Sequence, residues 1–399
     1  MKNIIPCILL LFTFFISNLA YCQYSDKDVQ LKEINKSIIK LCNPIDNEGA
    51  KKELLKYDKN LVIESLKIAI KDTKKDEARY DASYFLLEEM KPPGLIDFCT
   101  KLLKDSSSLV RSSAYAYLGN CKDAKAIPIL LEALNSEKDD DEYLDIIQQL
   151  GNYKDEVVSK RLISIFESIK SDTKQNTHIL KYIIYILGEN KVSSATDLLI
   201  NTFENEPKLR GYSVLALGKI RDKKVIPIIQ KIQNKENSVE ISYVLGLFNV
   251  EYGKNRDYII KMLFKTHDFW KEKQIDEAFS NYDNCLSALK EFSLSRIDNK
   301  ALKSLMEYAP STDAHFSEMM IEVLTEISFI NPKLFLETLI QVDDKTKNLI
   351  MDFTNPSWLG DDRKKEEFFI KWTKYIDTTK GDLKELGNKF INYVRMHSY

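Results

Sequence analysis

The chain has 399 residues, and its 58 lysines and arginines nearly balance its 60 aspartates and glutamates, so the formal net charge is −2 at pH 7. Such a balance lacks the basic excess that a phosphate-backbone binder needs, which argues against a nucleic-acid partner. Hydrophobic residues make up 44% of the chain, and the low counts of 12 glycines and 10 prolines are typical of helices joined by short turns.

The N-terminal segment, residues 1–22, has the layout of a secretory signal peptide. Lys2 precedes an apolar run, Ile4–Ile16, and small or polar residues follow. The run is short for a bilayer span, so we expect no transmembrane segment in the mature chain. Cleavage after Cys22 is favoured over a lipid anchor at Cys22, because Tyr21 stands where lipoprotein sites have a small residue. Either route predicts an exported protein, periplasmic or secreted.

Residues 23–77 are predicted to form an N-terminal helical cap. Val29–Leu41 and Lys51–Ile70 have amphipathic helical spacing and are separated by the sequence CNPIDNEGA. Such helices would cover the first apolar face of an array of repeats, which stacked repeats require.

A Leu-Gly pair recurs between residues 78 and 263, each time at the end of an apolar helical stretch. The pairs are Leu118-Gly119, Leu150-Gly151, Leu187-Gly188, Leu217-Gly218 and Leu245-Gly246. A polar turn and a second helical stretch follow each of the first four pairs, and a degenerate copy spans Ala78–Leu103 with Glu88 at the glycine position. Two helices in roughly thirty residues predict helical hairpins that must stack to bury their apolar faces. The predicted fold class is therefore all-α, an α-solenoid.

Two copies share residue types at matching positions. The glycines Gly119 and Gly218 are predicted to end a first helix, a place that favours a residue free to take positive φ. Asp123 and Asp222 are expected to accept hydrogen bonds from the amides that open the second helix. The prolines Pro128 and Pro227 fall near its first turn, where a missing amide donor does little harm.

The stretches VRSSAYAYLGNCKDAKAIPILLEAL and LRGYSVLALGKIRDKKVIPIIQKI resemble HEAT repeats of the short, bilin-lyase-like type found in many bacterial proteins. The resemblance implies that Arg111 and Arg210, together with Asp123 and Asp222, contact adjacent units. It covers residues 78–263 and implies a fold rather than an activity. The Gly151 and Gly188 copies depart from it, since they lack the Ile-Pro pair.

The C-terminal region, residues 264–399, continues with helical spacing but without clear repeats. We expect either irregular repeats or a separate helical cap, with the tryptophans Trp270, Trp358 and Trp372 in its core. The predicted helices are Ile275–Phe292, Ala301–Tyr308, His315–Ile327, Leu334–Val342, Phe368–Ile376 and Leu383–Arg395.

No motif for catalysis or metal binding stands out. The four histidines, His178, His267, His315 and His397, lie far apart. The acidic run Lys138–Glu142 lacks the spacing and glycine of a calcium loop, so it is predicted to be a solvated turn. A zinc-spaced cysteine pair, a glycine-rich phosphate loop and a Gly-x-Ser-x-Gly elbow are all missing from the sequence. We therefore expect no catalytic residue, metal or cofactor.

Four cysteines remain after the predicted cleavage: Cys42, Cys99, Cys121 and Cys285. Their even number in an exported chain permits disulfides, and Cys99 and Cys121 fall in neighbouring repeats. Small buried thiols that fill helix interfaces are the favoured interpretation.

Two classes of function remain. The first is a protein- or peptide-binding scaffold, since second helices usually line the concave side of a solenoid. Alignment of the copies places five residues at one position, here called the lateral column: Phe98, Ile129, Arg161, Leu198 and Ile228. The lysines Lys125, Lys160 and Lys224 flank this column. It suits an extended peptide or a partner helix, unless its side chains pack fully between the layers.

The second class is an enzyme related to the bilin lyases, using a pocket that the sequence does not reveal. The predicted signal peptide argues against it, because those enzymes serve cytoplasmic antennae. HEAT-like DNA glycosylases also resemble this architecture, but export and the balanced charge oppose that alternative. We therefore favour a non-enzymatic scaffold.

Overall fold

The computed structural model describes residues 27–41, 46–72, 76–90, 94–137, 139–169, 173–271, 275–312, 314–360 and 362–397. Regular structure within these ranges is entirely helical, which confirms the all-α prediction. The described residues form two compact units, divided between Asn190 and Lys191. The predicted signal peptide and Cys42 lie outside the described residues.

The first unit contains ten helices among its described residues. They are α1 (27–41), α2 (Asn47–Leu54), α3 (Lys59–Asp72), α4 (Asp76–Tyr84), α5 (Leu95–Leu102), α6 (Ser108–Asn120), α7 (Ala126–Ser136), α8 (Asp140–Gly151), α9 (Glu156–Ser168) and α10 (Lys174–Glu189). Helix α4 continues as a π-helix over Phe85–Met90.

The N-terminal cap differs from the prediction of two helices. The stretch Lys51–Ile70 is broken, because α2 ends at Leu54 and α3 begins at Lys59. Asp58 Oδ1 accepts hydrogen bonds from the amides of Asn60 and Leu61, each at 3.0 Å, and so starts a new helix within the apolar pattern.

Helical hairpins stack in the first unit as the repeat predicts. The first helices of successive hairpins are α4, α6, α8 and α10, and each packs on the next in that order. The second helices, α5, α7 and α9, pack against the first helices beside them. This alternation buries the apolar stripe of each hairpin, including Leu118, Leu130 and Leu150, which are fully buried or nearly so.

The reason predicted for Gly119 and Gly218, freedom to take positive φ, is wrong. Both glycines lie inside the last turns of α6 and of a helix in the second unit, and neither has positive φ. Positive φ occurs just beyond them, at Lys122 (56°) and Arg221 (66°). These two residues, and not the glycines, take the left-handed conformation in which first helices end.

Close helix approach explains the glycines. A Cβ on Gly119 would lie 2.7 Å from Cβ of Gln149, on the next first helix. A Cβ on Gly151 would lie 2.7 Å from Cγ1 of Ile186, on the first helix after that. Real Cβ atoms do not approach so closely, so glycine sets the spacing between successive first helices.

The second unit contains twelve helices among its described residues. They are α11 (Thr196–Asn205), α12 (Arg210–Ile220), α13 (Ile226–Gln233), α14 (Val239–Leu247), α15 (Tyr252–Lys271), α16 (Ile275–Arg296), α17 (Asn299–Tyr308), α18 (Ala314–Ile330), α19 (Pro332–Leu339), α20 (Asp344–Asp352), α21 (Asp362–Thr378) and α22 (Gly381–His397).

Hairpin alternation continues well into the C-terminal region. First helices α12, α14, α16 and α18 pack in series, and second helices α13, α15, α17 and α19 lie against them. Helix α15 runs through residue 263, where the sequence placed a boundary. Helices α20, α21 and α22 complete the unit: α20 packs on α17 and α22, while α21 and α22 pack on each other and on α19. Each helix in the described ranges is too short or too polar to cross a bilayer.

An aromatic cluster fills the C-terminal end of this unit. Trp372 is fully buried, its ring centroid lies 4.3 Å from that of Phe390, and its indole N–H donates to the carbonyl of Ser328 at 3.0 Å. The prediction of a core tryptophan is thus confirmed for Trp372. It is wrong for Trp358, which is 45% exposed in a short 3₁₀ turn, and the side chain of Trp270 lies outside the described residues.

Candidate functional site

Arginines at the start of three first helices join neighbouring hairpins. Arg111 Nε donates to Glu142 Oε2 at 2.8 Å, and its Nη1 donates to the carbonyl of Asp105 at 2.6 Å. Glu142 opens the next first helix, whereas Asp105 follows the preceding second helix. One guanidinium therefore contacts the hairpins on both sides of its own.

Two other arginines make a related pair of contacts, each to a carbonyl of the preceding helix and to an acid that follows the second helix of its own hairpin. Arg210 Nε donates to the carbonyl of Phe203 at 2.9 Å, and the guanidinium pairs with Glu236. Arg79 donates to the carbonyl of Ile70 at 2.6 Å and pairs with Asp105. Arg79 was not among the predicted contact residues, although it lies 32 residues before Arg111, the spacing of the first two Leu-Gly pairs.

The acidic run is not simply a solvated turn, because α8 begins within it at Asp140. Asp139 Oδ1 accepts hydrogen bonds from the amides of Asp141 and Glu142, at 3.0 and 3.1 Å, and so caps α8. Glu142 is only 5% exposed because it reaches Arg111. The prediction was wrong for this residue, since a buried carboxylate needs a charged partner that sequence spacing did not reveal.

The turn residues shared by the two copies have structural contacts. Asp123 Oδ1 accepts a hydrogen bond from the amide of Lys125 at 2.9 Å, and Asp222 Oδ1 accepts one from the amide of Lys224 at 3.0 Å. Pro128 lies in the first turn of α7, and Pro227 is the second residue of α13. These residues have a local structural role, because they stabilise the N-terminal ends of the second helices.

The lateral column of the first unit is partly accessible. Phe98 on α5, Ile129 on α7 and Arg161 on α9 are all half-buried. The Lys67 ammonium lies 5.9 Å from the centroid of the Phe98 ring, and Arg161 Nη2 donates to Asn135 Oδ1 at 2.7 Å. Half-burial leaves side-chain area available to a partner, so the binding role stays a prediction.

The flanking lysines of the first unit are exposed. Lys160 pairs with Glu156 on its own helix at 2.6 Å. Lys125 stands at the start of α7 with its side chain in solvent. An exposed pair of this kind contributes little to stability, so both ammonium groups can reorient toward a partner.

The lateral column of the second unit is also half-buried, at Leu198 and Ile228. Lys224 Nζ lies 3.0 Å from Asp197 Oδ1 and 3.6 Å from Asp222 Oδ2. The hydrogen bond to Asp197 raises the pKa of Lys224 above its usual value. Because two carboxylates already surround it, Lys224 offers a partner less positive charge than Lys125 does.

A cleft of about 480 Å³ opens between α8 and α10 in the first unit. Gly151 and Ile186 line it together with the phenol rings of Tyr182 and Tyr185. Its charged groups, Lys154 and Glu189, are both exposed to solvent. Aromatic rings beside solvated charges suit contact with a group on a partner's surface. Catalytic acid–base pairs, in contrast, are usually shielded from water.

A second cleft of about 460 Å³ lies along α21 and α22 in the second unit. Phe369 and the 60% exposed Ile370 supply its apolar surface. The guanidinium of Arg395 lies 5.1 Å from the centroid of the Phe369 ring. This cleft was not predicted, because Ile370 follows two phenylalanines and its outward direction depends on the register of α21.

The thiols in the described residues are free, with Cys99 and Cys285 buried and Cys121 half-buried. Burial raises the pKa of the Cys99 and Cys285 thiols well above the usual range. Cys121 Sγ lies 3.6 Å from the hydroxyl of Tyr153. These contacts agree with thiols that fill helix interfaces.

The histidines that the structure describes are surface groups. His178 is exposed and packs edge-on against Tyr182, and His397 is exposed and stacks on Tyr393. The side chains of His267 and His315 lie outside the described residues. Within the described ranges, no group of three or more potential metal ligands comes together.

Comparison with known proteins gives a family for part of the chain. Residues 63–151 match the family model described as HEAT repeats, which is less than a quarter of the 399 residues. No curated protein matches the chain. A solved chain from a study described as "A conserved phosphorylation switch controls the interaction between cadherin and beta-catenin in vitro and in vivo" shares 11% identity at a TM-score of 0.31, over 90% of this chain and 98% of the other.

Proposed function

We propose that this chain is a non-enzymatic scaffold that binds a protein or peptide through the second-helix face of its HEAT-like hairpins. The matched segment, residues 63–151, contains Phe98 and Ile129 of the lateral column. The observation that carries the proposal is their half-burial on successive second helices. Full burial, as for the core residues Leu130 and Leu162, would leave these side chains no surface for a partner.

Stacked hairpins present a partner with a regular series of such side chains. An extended peptide or an amphipathic helix has side chains at regular intervals and can meet several hairpins at once. The exposed Lys125 and Lys160 at the margin of the first unit's column favour a segment that carries acidic residues beside its apolar ones. The partner segment expected here is thus apolar along its centre and acidic along its edge.

We also propose that the protein acts outside the cytoplasm, in the cell envelope or after secretion. The support is the signal-like sequence of residues 1–22, with its single lysine and apolar run. N-terminal sequencing of the protein from an envelope fraction would test this. A first residue of Gln23 is expected, whereas a chain that still begins at Met1 would contradict export by cleavage.

An affinity capture tests the binding role. The full chain serves as bait in extract of its own cell envelope, beside a variant with Ile129→Glu and Ile228→Glu. A carboxylate placed in an apolar contact is expected to weaken partner retention at least tenfold, about 1.4 kcal/mol or more. The control bait carries Ile330→Glu and Ile370→Glu, two isoleucines that are 49% and 60% exposed elsewhere.

Retention by the unaltered and control baits, with loss from the column variant, would support the proposal. Equal retention by all three folded baits would remove the lateral column from the binding surface. Circular dichroism and thermal unfolding of each bait show whether the substitutions leave the fold intact.

A further inference from the structure

Two exposed arginines from different hairpins converge at the C-terminal end of α14. Arg221 Nη1 donates to the carbonyl oxygen of Leu247 at 2.9 Å, and Arg296 Nη2 donates to the same oxygen at 3.3 Å. Because the two nitrogens bond one oxygen, they lie at most about 6 Å apart. Two positive charges at this distance repel each other, and an anion bound between them would offset the repulsion.

Further contacts fix the orientation of Arg296. Its Nη2 donates to the carbonyl of Gly246 at 2.9 Å, and its Nη1 donates to Asn249 Oδ1 at 3.1 Å. The guanidinium also lies 4.5 Å from the centroid of the Tyr252 ring. A side chain held by its neighbours loses little conformational freedom when it binds a ligand.

The pairing of these two arginines is unusual in the molecule. Most other guanidinium groups with described contacts meet a carboxylate, as Arg79, Arg111 and Arg210 do. The hydrogen bonds of Arg221 and Arg296 instead go to carbonyl and amide oxygens among the described residues, and Arg296 also lies against the Tyr252 ring. Within the described ranges, neither guanidinium is therefore paired with a carboxylate.

Nearby acids are already engaged. Asp298 Oδ2 accepts hydrogen bonds from the hydroxyl of Tyr252 at 2.6 Å and from Arg256 at 3.0 Å. Burial acts to raise the pKa of Asp298, but these hydrogen bonds outweigh it and hold the pKa below its usual value. Two other acids close in sequence are also paired: Asp222 with Lys224, and Glu251 with Lys254.

We propose that Arg221 and Arg296 together form a binding site for a carboxylate on a peptide segment of a partner protein. Two guanidinium groups offer the planar donors that match a carboxylate. The carbonyl end of α14 carries partial negative charge, which disfavours a doubly charged phosphate more than a singly charged carboxylate. Ile297, next to Arg296 and 65% exposed, adds an apolar contact that a peptide can use.

This site goes beyond the lateral column, since none of its residues belongs to the column. It lies at the C-terminal ends of α12, α14 and α16, and it can bind whether or not the column does. The partner class it implies is an acidic peptide with an aliphatic neighbour beside the acid.

Calorimetric titration of the full chain with a blocked tetraglutamate peptide at low salt tests the proposal. Saturable binding is expected, and Arg221→Gln with Arg296→Gln should weaken it about tenfold or more. Arg221→Gln alone removes one hydrogen bond at the surface, so it should keep the fold and still weaken binding. The matched control is Arg395→Gln, since Arg395 is an exposed arginine that lies beside a ring; it should leave binding unchanged.

Several results would overturn the proposal. A blocked tetraglutamine peptide that binds equally well would show that the carboxylates do not matter. Loss of binding in the Arg395→Gln control to the same extent would indicate non-specific charge attraction. Inorganic phosphate that binds tighter than tetraglutamate, with loss in the double variant, would assign the site to a phosphate instead. An absence of saturable tetraglutamate binding to the unaltered chain would also refute the site.

Discussion

Replacing Gly218 with alanine should destabilise the second unit, although alanine is the better helix former. The added Cβ would lie 2.7 Å from Cγ2 and 3.2 Å from Cγ1 of Val244, which is fully buried on α14. Valine is stiff at χ1, so it cannot turn both methyl groups away. Overpacking of this kind costs about 1–3 kcal/mol, whereas the gain in helix propensity is about 0.5–1 kcal/mol, so a net loss of about 1–2 kcal/mol is expected.

Gly211 provides a matched control in the same helix. A Cβ there would meet Glu240 at 3.5 Å or more, an ordinary contact with a flexible side chain. Gly211→Ala should therefore be neutral or stabilise by up to about 1 kcal/mol. Urea unfolding followed by circular dichroism compares the two variants, and hydrogen exchange of α12 and α14 shows whether the effect is local.

A double variant isolates the contact. Val244→Ala alone costs stability by leaving a cavity, but in the presence of Gly218→Ala the new methyl group partly fills that space. The two losses should then be less than additive by about 1 kcal/mol. If Gly218→Ala behaved like Gly211→Ala, or if the two losses simply added, glycine would not be setting the distance between first helices.

Three further changes test other contacts. Arg111→Met should leave Glu142 buried without its partner and lower the free energy of unfolding by about 3 kcal/mol, measured in urea. Asp298→Asn keeps an N-cap for α17 but removes the charge. Since the pKa of Asp298 is lowered in the folded state, its contribution is present above pH 4 and lost as pH falls below about 4. Asp298→Asn should thus be less stable than the unaltered chain at neutral pH. Its free energy of unfolding should also fall less on acidification. Thiol labelling of the folded protein, followed by peptide mass spectrometry, should modify Cys121 well before Cys285, which reacts only after unfolding.

Local patterns in the sequence predicted most of the helices. Helical spacing and turn residues located α6, α7, α8 and α9, because those features act within a few residues. The same reasoning missed the break at Asp58, where a short polar signal interrupts a long apolar pattern. It also missed α20 (Asp344–Asp352), whose apolar residues are few.

Contacts between hairpins were harder to predict, since they join residues about thirty positions apart. Gly119 was expected to serve its own helix end, whereas its role depends on Gln149 of the next hairpin. Glu142 was expected in solvent, whereas Arg111 draws it into the structure. The partial exposure of Phe98 and Ile129 likewise depends on how neighbouring second helices are spaced, which one hairpin's sequence does not specify.

Hydrogen–deuterium exchange of the chain, alone and with a captured partner, tests the central claim most directly. Binding through the lateral column predicts added protection in peptides from α5 and α7, which carry Phe98 and Ile129, with little change in the first helices α6 and α8. Protection confined to the first helices, or absent from the second helices altogether, would contradict the account.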